Sequence, residues 1–198
     1  NEVMLFNVRA FQAELALRQA HLATAVQWAE QYGPFRPLLV ANLFVPPEVL
    51  AMILLAQDTP VSRQRARELL TQMNDFYSSI HCTTIRIRVL ALQAMLCSAE
   101  GDEPQALAAL ADSIALAEPG GFLRLYVDLG PALKPLLQKV AHQGVSPAYI
   151  DEILAAFGPD EASPVVGRSL AMEPVPTPLN STLLTNRELD VLQLLAER

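Results

Sequence analysis

Residues 66–77, ARELLTQMNDFY, set Ala66, Leu69, Leu70, Met73 and Tyr77 at i, i+3, i+4, i+7 and i+11, which gathers their side chains on one face of an α-helix. A strand, whose faces alternate every residue, does not fit this spacing. Upstream, Asp58 to Pro60 read as a turn, and Val49, Met52, Ile53 and Leu55 follow a Pro46-Pro47 pair. Proline in a first helical turn sacrifices no hydrogen bond, so a helix is expected to open there. Two apolar-faced helices joined by so short a turn must lie antiparallel, as a helical hairpin.

The same unit recurs on both sides. Before it, Met4, Val8, Phe11 and Leu15 give a first helix an apolar face, and Leu22, Ala25, Val26 and Ala29 give a second one, closed by Gly33 and Pro34. After it come Ile85, Val89, Leu92 and Leu96, a Gly101-Asp102 turn, then Leu107, Leu110, Ile114 and Ala117, stopped by Pro119, Gly120 and Gly121. A small residue near the start of each second helix, at Ala25, Ala66 and Ala106, recurs about every forty residues. That is the period of stacked helix pairs, whose backbones approach closely only where side chains are small. The expected fold is all-α, a solenoid of antiparallel helix pairs.

Residues 122–128, FLRLYVD, alternate apolar and polar positions and are left open between a short strand, an extended loop and an irregular helix. Pro131 then opens a helix with Leu133, Leu136, Leu137 and Val140. Ser146-Pro147 is expected to cap another, with Ile150, Ile153, Leu154 and Phe157 inward and Gly158 at its end. Residues 1–158 form the repeat domain in this reading. Five prolines punctuate 159–182, which reads as a linker. From 183 to 198 a helical pattern returns, with Thr185 and Glu188 spaced as a capping box.

Composition narrows the function. The 198 residues carry a formal charge of -7, and such an acidic surface repels a phosphate backbone, so DNA binding by this region alone is not expected. Apolar residues make up 52%, yet charged or amide side chains interrupt every long apolar run, so no membrane span is expected. Residue 1 is Asn, and no secretory leader is visible, so the chain reads as an internal piece of a larger cytoplasmic protein. Cys82 and Cys97 are too few for a disulfide framework. His21, His81 and His142 fall at helix ends with no second ligand one turn away, so no metal site is expected. No GxSxG elbow occurs, and Asp102 and Glu103 are better placed to favour a helix N-terminus than to act as a catalytic carboxylate pair, so no catalytic residue is assigned. Trp28, one turn after Ala25, is expected to pack between helices.

Residues 183–198, LLTNRELDVLQLLAER, resemble the opening of a LuxR-type helix-turn-helix domain, whose first helix commonly reads L-T-x-R-E-x-x-V-L-x-L. Leu184, Thr185, Arg187, Glu188, Val191, Leu192 and Leu194 stand at those positions. The phrases LRQAHLATAVQWAE at 17–30 and ALAEPGGFLRLYVDLGPALKPLL at 115–137 are similar to the sensor repeats of MalT-like, large LuxR-type transcription regulators.

The resemblance implies a TPR-like superhelix that senses a small-molecule inducer or protein partner. Its partners would include the regulator's own ATP-binding NTPase module, and it would relay the bound state to a C-terminal DNA reader. No GxxxxGK[ST] loop is present, so ATP binding maps to no residue here, and DNA specificity would lie beyond Arg198. A scaffold without a small ligand is the competing reading. With the helix phases of a TPR anchored at Ala25 and Ala106, Asn7, Glu14, Arg18 and Arg88 are the residues expected on the ligand or partner face.

Overall fold

The computed structural model describes residues 2–35 and 45–158, and the expected linker at 159–182 and helix start at 183–198 lie outside that range. Among the described residues nine α-helices follow one another, with no strand: α1 Glu2–Arg18, α2 Leu22–Gln31, α3 Pro46–Gln57, α4 Pro60–Ser79, α5 Thr83–Ala99, α6 Glu103–Ala117, α7 Arg124–Val127, α8 Lys134–His142 and α9 Pro147–Ala156. From α1 to α6 consecutive helices pair, α8 packs on α6 and α9, and α1, α3 and α5, the first helices of the three pairs, also pack on one another in order.

The turns explain why the pairs are tight. Ala20, Asp58 and Gly101, at φ 61°, 50° and 83°, each reverse the chain through one left-handed residue. After Asp58, the Thr59 hydroxyl accepts from the Ser62 amide at 3.0 Å and the Ser62 hydroxyl accepts from the Thr59 amide at 3.0 Å. This reciprocal cap, with Pro60 in the first turn, starts α4. Asp102 caps α6 as its position suggested, its carboxylate accepting from the Gln105 amide at 3.2 Å. Ser146 does not cap α9. Its backbone is left-handed, at φ 39°, and its hydroxyl instead donates to Glu118 at 2.7 Å.

Register is set by alanine. Ala25, Ala66 and Ala106 have no exposed surface, and neither do Ala10, Ala51 and Ala91 on the first helix of each pair. Both sets repeat at steps of 41 and 40 residues. These methyl-sized positions let the helices of each pair, and successive pairs, approach closely. The α4 stripe is buried throughout, as are Leu110 and Ile114 of α6 and Leu133, Leu137 and Val140 at the last turns of the array. Trp28 packs between helices, 5.3 Å from Tyr32 and 6.4 Å from Phe6 by ring centroids.

The first helix departs from its expected orientation. Val8, Phe11 and Leu15, read as its inward face, are 49%, 57% and 46% exposed, and Ala10, Ala13 and Ala16 pack inward instead. The helix is apolar on two sides, and the side with small residues is the one that fits closely against α2 and α3. In the repeat register Val8 corresponds to Val49 and Val89, which are 3% and 0% exposed because a preceding helix pair covers them. Val49→Ala is therefore expected to cost about 2 kcal/mol, as a buried cavity does, and Val8→Ala less than about 0.5 kcal/mol. Urea melts of the two variants check this, and equal losses would show that Val8 is covered in solution.

Residues 122–128, left open by the sequence, fall within an irregular helical strap that runs from 118 to 133. A single 3-10 turn at Glu118–Gly120, the four-residue α7 and a second 3-10 turn at Pro131–Leu133 succeed one another. Tyr126 fixes the strap: it is fully buried, and its phenol sits 3.0 Å from the Ser113 hydroxyl, which donates to the Ile87 carbonyl at 2.8 Å. No described helix is long and apolar enough to cross a membrane.

Candidate functional site

The first helices of the three pairs turn equivalent residues toward one side. On α1 these are Asn7, Phe11, Glu14 and Arg18; on α3, Glu48, Met52 and Leu55; on α5, Arg88, Leu92 and Met95. Spacings of four and three keep each set on one face. Across the helices the sets align as rows, because Asn7, Glu48 and Arg88 are again 41 and 40 residues apart.

The first row is polar, with Glu48 buried at its centre and Asn7 and Arg88 partly buried on either side. Glu48 is only 4% exposed, and its Oε2 lies 2.9 Å from Arg88 Nε. That N–H is not aligned on the oxygen, so the contact is a charge pair rather than a directed hydrogen bond. Burial pushes the Glu48 carboxyl up to about 7; Arg88 pulls it back down, and Glu14 raises it further. Asn7 completes the row, its buried Oδ1 accepting no hydrogen bond from the described residues.

One turn further along the helices the face becomes apolar. Leu17, Met52, Leu55, Leu92, Met95 and Leu129 surround a cavity of about 580 Å³, within the range of small-molecule sites. Asp128, Gly130, Pro131 and Ala132 of the strap form its far wall. Arg18 stands at the rim. Glu14 Oε1 accepts from its Nη2 at 2.7 Å and from its Nε at 3.1 Å, and Nη2 also reaches the Asp128 carbonyl at 3.4 Å. The last contact joins the first helix pair to the strap across 110 residues of chain.

The four residues singled out by sequence thus divide. Glu14 and Arg18 pair at the cavity, with Arg18 in its wall. Asn7 and Arg88, both partly buried, sit in the polar row one turn away. Sequence reasoning missed Glu48, which would have been found by stepping 41 residues from Asn7 or 40 back from Arg88. It also missed the apolar wall, since Met52, Leu55 and Leu92 read as ordinary core.

Among the described residues no group of three or more His, Cys, Asp or Glu side chains is placed to hold a metal ion. A family model described as the MalT-like TPR region matches residues 2–143, more than half of the chain. No curated protein and no solved structure matches it.

Proposed function

We propose that this chain, which belongs to the MalT-like TPR region family, is the sensor region of a LuxR-type transcription regulator and binds a small-molecule inducer in the groove of α1, α3, α5 and the strap. The observation that carries this reading is the cavity itself, which is walled by all three first helices and by a strap from beyond the third pair. A molecule held there contacts parts of the array far apart in sequence. It favours one relative arrangement of the pairs over others, which is the physical requirement for a ligand to shift a conformational equilibrium. The likeness of residues 183–198 to a helix-turn-helix opening supplies the output, a DNA reader in the longer protein. ATP would belong to a separate module, since no phosphate loop occurs in this sequence.

A thermal-shift screen of the 198-residue chain against metabolites, sugars and peptides tests the reading, because a ligand of the folded state raises the melting temperature. A saturable shift that disappears in Arg18→Gln, measured against that variant's own ligand-free melting temperature, is the expected result. Arg88 is unsuitable for this test, since reversing its charge would place two carboxylates together in the interior.

A second reading, a protein scaffold without a small ligand, is favoured by the exposed apolar side chains of α1, Leu5, Val8 and Leu15. No shift with any small molecule, together with a shift on peptides, would choose it.

A further inference from the structure

We propose that the groove selects a small molecule with an elongated apolar body and one carboxylate, and that Arg18 receives the carboxylate. This rests on reading the groove as a sensor site and names its ligand class. The wall argues for the body. Six large apolar side chains line the cavity, and the thioethers of Met52 and Met95 let the wall adapt to an alkyl or ring surface. A polyhydroxylated molecule would leave hydroxyls unpaired against the same wall.

The rim argues for the head group. Arg18 is the only cation among the described residues that line the cavity. Its side chain is 47% exposed, whereas that of Glu14, its partner, is 15% exposed. Glu14 occupies Nε and one side of Nη2, and the contact of Nη2 with the Asp128 carbonyl is long, at 3.4 Å. Among the described residues none accepts from Nη1, so its two N–H donors face an incoming acceptor, and planar carboxylates suit the guanidinium fork. Single negative charge follows from the neighbour: Glu14 already neutralises Arg18, so a dianion would leave the site strongly negative. A ligand so placed touches α1, α3, α5 and the strap together, and replaces the weak Arg18–Asp128 bridge with a continuous one.

Calorimetric titration of the full 198-residue chain with decanoate, decan-1-ol and decylammonium, each below its aggregation concentration, tests the proposal. Decanoate is expected to bind saturably at one site and more tightly than the other two. Arg18→Gln is expected to weaken decanoate at least roughly tenfold, as loss of a charge-assisted hydrogen bond does, and Arg18→Lys to restore part of it. Glu14→Gln is expected to tighten decanoate and leave decan-1-ol unchanged, an outcome that a purely structural Glu14–Arg18 pair does not produce. Ala56→Trp, which fills the groove from an exposed position in its wall, is expected to remove binding.

If decan-1-ol or decylammonium binds as tightly as decanoate and Ala56→Trp abolishes it, the carboxylate inference is overturned while the sensor reading stands. Decanoate binding indifferent to Ala56→Trp, or no binding by any of the three, overturns the proposal. The metabolite screen then decides the sensor reading separately.

Discussion

Between pH 4.5 and pH 7 the chain is expected to lose about 3 kcal/mol of stability through one side chain, Glu48. In the folded state its carboxyl titrates at about 7, against 4.5 when unfolded, chiefly because burial disfavours the charge. Below pH 4.5 both states hold the proton and the group has no effect on stability. As pH rises through the window the unfolded chain releases the proton while the folded chain keeps it, so unfolding becomes progressively easier. Above pH 7 both states are ionised and the loss levels off. At about 1.4 kcal/mol per pH unit, the difference between the two values sets the size of the effect. Urea melts of the parent chain and of Glu48→Gln at pH 4.5, 6 and 7.5 check it, with the variant lacking this component of the slope. Parallel pH profiles would mean that Glu48 is solvated or firmly ionised in the fold.

A buried pair retained at such a cost is weak evidence for stability and better evidence for a role in arrangement. Glu48 and Arg88 lie on the first helices of successive pairs, so their contact reports how one pair is stacked on the next. Sequence reading did not find it, for a physical reason. A glutamate two residues after Pro46 reads as an acidic residue favouring a helix N-terminus, and the arginine that meets it is forty residues away. Only the alanine register, Ala10, Ala51 and Ala91, brings the two positions into one row.

What the sequence did disclose was local. The α4 stripe and the Ala25, Ala66, Ala106 period identify helix pairs and their stacking because both are consequences of helix geometry alone. Periodicity marks an apolar stripe but does not say which neighbour covers it, and α1, apolar on two sides, therefore read the wrong way round. The strap had no readable period because α7 is four residues long, too short for a stripe, and lies between two 3-10 turns. The cavity was invisible for a related reason: its wall is built from the exposed edges of residues whose spacing is that of core.

The strap makes the second large effect calculable. Tyr126→Ala is expected to cost about 3–5 kcal/mol, the usual loss for emptying a fully buried aromatic site. Tyr126→Phe keeps the ring and removes only the hydroxyl that meets Ser113, so about 1 kcal/mol is expected. The Ser113 hydroxyl still donates to the Ile87 carbonyl in that variant, which keeps the loss near the lower end for a buried hydrogen bond. Chemical melts at neutral pH, far below the phenol's own titration, which burial pushes well above its ordinary value, separate the two variants. Tyr126 is anchored in the core two residues before Asp128, where the far wall of the groove begins, so loss of its anchor is expected to reach that wall. Amide exchange at Leu129 and Gly130, whose N–H groups donate to Tyr126 and Val127 carbonyls, is expected to rise in Tyr126→Phe by more than the small change in global stability accounts for, the signature of a segment that opens locally. Exchange that tracks global stability alone would mean that the strap and the helix pairs unfold as one unit, leaving the groove no independently moving wall.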